Sequence, residues 1–305
     1  MHILKDVASF LKRAALAGVC LLMSSCAHHS IGRVPVAPDA SVSTTPSRIA
    51  ITIDDLPYVI PSKTRPNLGL RYVKSINAAL QKHDITATGF AVGQQINPKS
   101  IKALQAFANA GHTIGNHSWS HPDYGTLTPQ EFLDETRKTD EILAPWITGP
   151  RYYRFPFLRE GKTKQTQSAA TRILTDLDYQ NVPVSIDNDD WKFNADYLAA
   201  IKRNDRDAAA VIARDYIAHM QNRTAHFQSF ARTELGGDVD HILLLHMNRI
   251  NADHLETLLD WYAAQDWTFI TVGEALSDPF YARPNRYTGN LGLSQIERVV
   301  GRKSD

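Results

Sequence analysis

The chain has 305 residues, 43% of them hydrophobic, which is enough for one large core or two modest ones. Lys and Arg number 33 against 32 Asp and Glu, so the formal net charge is +1. That gives no basic footprint for nucleic acid and no acidic tail. The two cysteines, Cys20 and Cys26, both fall near the N-terminus. A domain beyond them has no disulfide and no cysteine-based metal or nucleophile site.

Lys5, Lys12 and Arg13 form a basic start before the apolar run over residues 14–23. That run is too short to cross a hydrocarbon layer of ~30 Å, which takes about 20 residues. A basic start, a short apolar stretch and small residues at its exit describe an export signal. Leu22-Met23-Ser24-Ser25-Cys26 resembles the lipobox of bacterial lipoproteins, in which Cys26 becomes the acylated first residue of the mature chain. Residues 1–26 therefore read as a lipoprotein signal, and residues 27–47, rich in Ser, Thr, Pro and Ala, as a flexible tether. Ala27 follows the cysteine where an Asp would favour inner-membrane retention. The expected location is the bacterial envelope, on the periplasmic face of the outer membrane if the source is Gram-negative.

From residue 48 the texture changes. Ile49-Ala50-Ile51-Thr52-Ile53 is an apolar, β-branched run suited to a strand buried on both faces, and it ends in Asp54-Asp55. Residues 70–83 carry a helical pattern through Tyr72, Val73, Ile76, Ala79 and Leu80. A second strand is expected over 87–92, and a helix over 98–110, ended by Gly111. Residues 112–114 form a brief extended piece leading into Gly115-Asn116-His117. Thr128 opens a helix over 129–143 with Glu131 at capping-box spacing. Next come strand-like 151–155, a helix over 166–177, a strand over 182–186 and a helical stretch over 197–220, one helix or two. A strand over 241–245, a helix over 252–264 and a last strand over 268–272 complete the series. Strands alternating with helices predict an α/β fold with a parallel sheet, and about seven such units favour a (β/α) barrel over an open sheet. This single catalytic domain covers 48–276. Residues 277–305 read as an irregular extension packed on it, with a short helix at 295–300.

Polar residues fall repeatedly just after these strands: Asp54-Asp55, His117 and His121, Arg154, residues 187–190, and His246. In a parallel barrel those strand ends converge on one face. His117 and His121 are four apart, a spacing that lets both imidazoles reach one ion from a short helical turn cut off by Pro122. An open zinc site needs a third ligand, which Asp54 or Asp55 can supply. Adjacent aspartates at a buried strand end repel each other unless a metal neutralises one and a cation holds the other. Arg154 sits between aromatics in Arg154-Phe155-Pro156-Phe157, which alone reads as a surface arginine. His246 ends an apolar strand, where a titratable ring needs a partner, and shares a strand face with Leu244.

Five fragments in order resemble the polysaccharide deacetylase family, also called the NodB-homology domain or carbohydrate esterase family four. Thr52-Ile53-Asp54-Asp55 is similar to its T-F-D-D motif, and His117-Ser118-Trp119-Ser120-His121 to H-S/T-x-x-H. Arg154-Phe155-Pro156-Phe157 is similar to R-x-P-F/Y, Asp187-Asn188-Asp189-Asp190-Trp191 to D-x-x-D-W, and Leu243-Leu244-Leu245-His246 to L-x-L-H. Residues 87–93 and 269–276 also look like family strand signatures. The resemblance implies a distorted parallel (β/α) barrel with a divalent metal on Asp55, His117 and His121, usually Zn²⁺, with Co²⁺, Ni²⁺ or Mn²⁺ as alternatives. It implies Asp54 as general base, oriented by Arg154, and His246 as general acid, fixed by Asp190. Trp191 and Leu244 would line an acetyl-methyl pocket, and the Phe157 N–H would donate to the oxyanion. Ile53 stands where the family usually has Phe, and Leu56-Pro57 where many members have Gly.

The expected function is N-deacetylation of an amino-sugar polymer: peptidoglycan, a chitin-like chain or an exopolysaccharide. The expected partners are that acetylated substrate and a membrane reached through Cys26, with no nucleic acid and no protein partner implied. O-deacetylation of a polysaccharide, hydrolysis of a small cyclic amide and sugar binding without catalysis are the competing readings.

Overall fold

The computed structural model describes residues 46–58 and 66–304. The expected signal, Cys26 and nearly all of the tether lie outside the described residues. Among the described residues no helix is long and apolar enough to cross a membrane. The chain from Thr45 onward forms one compact unit.

Seven parallel strands make the sheet: β1 Arg48–Leu56, β2 Thr88–Ala91, β3 Thr113–Asn116, β4 Tyr152–Tyr153, β5 Gln180–Asn181, β6 His241–His246 and β7 Thr268–Ile270. They lie in the order β5-β4-β3-β2-β1-β6. Ile49 and Ala50 of β1 pair with both β6 and β7, while Thr52 and Ile53 pair with both β6 and β2. β7 and β2 therefore share one edge of β1 end to end. The ring closes beyond β5, where Ile186 bridges Leu243 on the free edge of β6. A distorted (β/α) barrel results, as the alternation of elements predicted.

Around it run α1 Pro66–Lys82, α2 Ile101–Asn109, α3 Pro129–Leu143, α4 Lys164–Asp176, α5 Asp190–Lys202, α6 Arg206–Leu235, α7 Arg249–Ala264, α8 Val272–Leu276 and α9 Gln295–Val300. The pleat sorts β1 and β6 into two faces. Ile49, Ile51, Ile53, Leu243 and Leu245 pack outward under the helices, whereas Ala50, Ile242 and Leu244 join Phe90, Val182 and Val184 inside the barrel. Burial on both faces is why these strands read as nearly continuous apolar runs. Gly115 on β3 makes room for this interior, because a Cβ there would lie 2.6 Å from the Phe90 ring.

Several elements differ from their predicted bounds. The expected strand over 182–186 is regular only at β5, just before it, since Pro183 has no N–H to continue the ladder. The last strand stops at Ile270, because Thr271 and Glu274 form a capping box that starts α8. The helical stretch predicted over 197–220 is two helices, and they extend well beyond it on both sides. Inward positions of α6 recur at helical spacing through Ala209, Ala213, Tyr216, Met220, Thr224, Phe227 and Ala231, but alanine and threonine mask that stripe in the sequence. Helix α1 begins at Pro66, earlier than predicted; proline suits a first helical position.

The C-terminal extension is tied into the barrel by specific bonds. The Gln295 N–H donates to the Val184 carbonyl at 2.6 Å, on the stretch Pro183 interrupts. Ser294 and Glu297 form a capping box for α9, and Glu297 also accepts from the Ser304 N–H and hydroxyl.

Candidate active site

Asp54 and His246 are register partners on the adjacent strands β1 and β6. Partners in a parallel pair project to the same face, so the two C-terminal strand residues open into the same mouth of the barrel. Asp54 is buried, and the Arg154 guanidinium holds it from below. Arg154 Nη1 donates to Asp54 Oδ1 at 2.8 Å and to Thr52 Oγ1 at 2.7 Å, and Nε donates to the Val182 carbonyl at 3.0 Å. The guanidinium lies 4.2 Å from the centroid of Phe90. Arg154 is thus 1% exposed, the reverse of the surface arginine its local sequence suggests.

Asp55, the next residue, has φ 64°. Its Oδ1 lies 3.3 Å from His121 Nε2 and 3.8 Å from His117 Nε2. One ligand atom from each of Asp55, His117 and His121 falls within 4.8 Å of the others. His117 Nδ1–H donates to the Arg154 carbonyl at 2.9 Å, which leaves its Nε2 lone pair turned toward the cluster. Burial, reinforced by the neighbouring His121, pushes His117 down to about 3 and keeps it neutral, the form that ligates. One carboxylate and two imidazoles converging with no thiolate fit a divalent ion such as Zn²⁺. Asp54 Oδ2 stands 3.6 Å from His117 Nε2, beside the cluster, while its other oxygen is engaged by Arg154.

The histidines do not meet on a helical turn as their spacing suggested. His117 continues the ladder, its N–H bonded to the Ala91 carbonyl, and Ser118 and His121 then take φ 65° and 59°. Asn116 Oδ1 accepts from the Ser118 N–H, and Ser118 Oγ accepts from the His121 N–H. Two left-handed residues fold the loop so that its second histidine returns to the first.

His246 Nδ1 and Asp190 Oδ1 are 2.6 Å apart. Asp190 Oδ2 accepts from the His246 N–H at 2.9 Å, Asn248 Nδ2 at 3.1 Å and Asn251 Nδ2 at 2.6 Å. Burial opposes charge on His246, but Asp190, with Asp55 and Asp54 nearby, outweighs it and raises the ring to about 10. Asp190 in turn is held below its ordinary value: burial opposes its charge, and the His246 contacts and Asn251 prevail. Sequence reasoning missed Asn248 and Asn251. Their signal was the Asn248 N-cap three residues before Asn251 and two after His246.

The residues expected to form the acetyl pocket are spread around this mouth. Leu244 is buried inside the barrel, two residues before His246 on the same strand. Trp191, on the first turn of α5 beside Asp190, is 54% exposed. Phe157 is 52% exposed and sets its ring edge-on to His121, with centroids 4.6 Å apart. Phe157 and Leu158 both have left-handed backbone, at φ 58° and 54°.

A family model described as polysaccharide deacetylase matches residues 41–182. That span contains Asp54, Asp55, both histidines and Arg154; Asp190 and His246 lie beyond it. A chitin deacetylase of Colletotrichum lindemuthianum is 25% identical over 258 residues, 81% of this chain and 86% of that protein. A peptidoglycan-N-acetylglucosamine deacetylase of Bacillus cereus is 30% identical over 148 residues, 48% of this chain and 47% of that protein. The peptidoglycan-N-acetylglucosamine deacetylase of Listeria monocytogenes is 25% identical over 247 residues, and the chain spans 41% of its length. The chain therefore covers most of the fungal relative but less than half of these two bacterial ones. Among solved structures, the chitin deacetylase of Colletotrichum lindemuthianum shares the fold at a TM-score of 0.53, with 20% identity, covering 77% of this chain and 89% of that one. The barrel, the ordered motifs and these matches agree in their likeness to the polysaccharide deacetylase family.

Proposed function

We propose that this protein is a metal-dependent deacetylase that hydrolyses N-acetyl groups of an amino-sugar polymer, either peptidoglycan, a chitin-like chain or an exopolysaccharide. The observation behind the proposal is the register pairing of Asp54 with His246, one held by an arginine and the other by a carboxylate, beside three converging ligand atoms. A divalent ion on Asp55, His117 and His121, Zn²⁺ in the first instance and Co²⁺, Ni²⁺ or Mn²⁺ otherwise, would polarise the acetyl carbonyl and acidify water. Asp54 accepts the proton of the attacking water, with Arg154 holding and aiming the carboxylate. The Phe157 N–H donates to the carbonyl oxygen as its charge grows. His246, protonated through its contact with Asp190, gives its proton to the departing amine nitrogen, while Trp191 and Leu244 receive the methyl group.

A histidine held by a carboxylate, as His246 is by Asp190, is an acid that an amide needs more than an ester does. An amine must be protonated to leave, whereas an alcohol leaves with less help. The lipobox-like Leu22-Met23-Ser24-Ser25-Cys26 supports a lipid anchor at the cell envelope, beside such polymers. Acetate release from chitooligosaccharides, peptidoglycan fragments and acetylated xylan, with Zn²⁺ and after chelation, tests the reading. Zinc-dependent release from the amino sugars supports it. Release from xylan alone replaces it with an esterase, and one equivalent of bound metal without release from any of the three refutes the polymer assignment.

A further inference from the structure

We propose that Arg298, supplied by the C-terminal extension, is a positioning residue for the Phe157 loop; the inference rests on the oxyanion role given to the Phe157 N–H above. Two consecutive non-glycine residues with left-handed backbone, Phe157 and Leu158, are a conformation that persists only where the surroundings over-determine it. Within the loop, short bonds run from the Leu158 N–H to the Phe155 carbonyl and from the Arg159 N–H to the Pro156 carbonyl. Those bonds close the turn without fixing its orientation on the barrel.

Orientation comes from two arginines. Arg159 Nη1 donates to Asp123 Oδ2 at 2.6 Å and ties the loop to the segment that carries His121. Arg298 Nη2 donates to the carbonyl of Leu158, the second residue of the left-handed pair. Arg298 is 1% exposed, and its Nε donates to the Leu293 carbonyl at 3.2 Å while lying 3.6 Å from the Glu160 carboxylate. The Gln295 N–H bond to the Val184 carbonyl ties α9 to the barrel, and the Ser294–Glu297 capping box closes its first turn. Gly292 then brings the extension directly onto Phe157: a Cβ there would stand 2.0 Å from the Phe157 carbonyl oxygen. One stretch of the extension therefore bonds the Leu158 carbonyl and lies close against the Phe157 carbonyl, and the loop presents both the Phe157 N–H and the ring that packs on His121.

The test compares Arg298→Met, Arg298→Lys and Gly292→Ala in the full-length, zinc-loaded chain, with Arg302→Ala as a surface control. Gly292→Ala presses on the Phe157 carbonyl without removing any charge, so it serves if Arg298→Met does not fold. For Arg298→Met and Gly292→Ala, kcat for chitotetraose should fall about 10- to 100-fold, less than the roughly 10²- to 10³-fold cost of losing an oxyanion donor outright, since the donor is displaced and not removed. KM and the one-metal stoichiometry should stay within about twofold, and amides of residues 157–159 should exchange faster. Arg298→Lys, which restores a donor, should recover part of kcat. A lowered melting temperature with kcat and amide exchange unchanged, measured well below that temperature, would overturn the proposal and leave Arg298 a fastener of the extension. If the wild-type chain binds zinc but releases no acetate, the deacetylase reading fails on its own. The exchange comparison then still decides whether Arg298 sets the loop.

Discussion

Replacing Asp190 with Asn should separate the charge of this carboxylate from its shape. His246 rises from an ordinary value of 6.5 to about 10, a preference of about 5 kcal/mol for the protonated ring. Burial alone would drive the ring the other way, so the preference depends on the surrounding carboxylates, with Asp190 in direct contact. An amide at position 190 keeps one acceptor for Nδ1–H, but its NH₂ would then face three donors: the His246 N–H, Asn248 Nδ2 and Asn251 Nδ2. With the charge gone, His246 should titrate near or below 6.5. The alkaline limb of kcat/KM should move down by about 3 pH units, and activity at pH 7.5 should fall about 10-fold, because an acid titrating at 6.5 is then about one-tenth protonated. A bound cation that neutralises Asp55 lowers both limbs and leaves their separation. The assay is acetate release from a chitooligosaccharide between pH 5 and 10, beside His246→Gln, which should lack the limb altogether. Coincident alkaline limbs in wild type and Asp190→Asn would refute the argument that Asp190 sets the protonation of the acid.

Asp54→Asn should retain one equivalent of zinc by calorimetric titration and lose about 10²- to 10⁴-fold in turnover, whereas His121→Ala should lose the metal. Arg154→Met leaves the buried Asp54 carboxylate without its cation and should cost about 3–5 kcal/mol. That is a fall in melting temperature of about 10 °C for a domain of this size by thermal denaturation. The folded-state value of His246 lies above its unfolded one, so its stabilisation is complete below about pH 6.5 and is lost as pH rises through about 10. The melting temperature of the wild type should drop over that window relative to His246→Gln, and parallel curves would contradict the shift.

The barrel strands were legible because burial on both faces makes β1 and β6 read as apolar runs, and each ends in the residues that matter. The helix over 129–143 was legible from Thr128 and Glu131, whose reciprocal bonds form as spaced. What escaped depends on contacts across long separations. Nothing local to Arg298 marks Leu158 as its acceptor 140 residues earlier, and nothing local to Arg154 marks Thr52 and Asp54. The histidine loop was misread for another reason. A four-residue spacing is compatible with a helical turn, and no glycine warns of the left-handed backbone at Ser118 and His121. Pro183 was legible and overlooked; it alone argued against a regular strand over 182–186.

Nine non-glycine residues have positive φ among the described residues. Asp84, Asp178, Asn204 and Asp266 are of the types that tolerate it, and all four sit just past helix ends. The other five, Asp55, Ser118, His121, Phe157 and Leu158, surround the candidate site. Asp55 is again of a tolerant type, but the other four, at roughly 1–2 kcal/mol each, hold a free energy approaching the net stability of a typical domain, about 5–15 kcal/mol. Laboratory evolution for heat resistance alone should therefore drift toward glycine or asparagine at these positions, gaining melting temperature while activity decays. Homologues with glycine at Leu158 or Ser118 are accordingly the ones to assay first for relaxed or vanished catalysis.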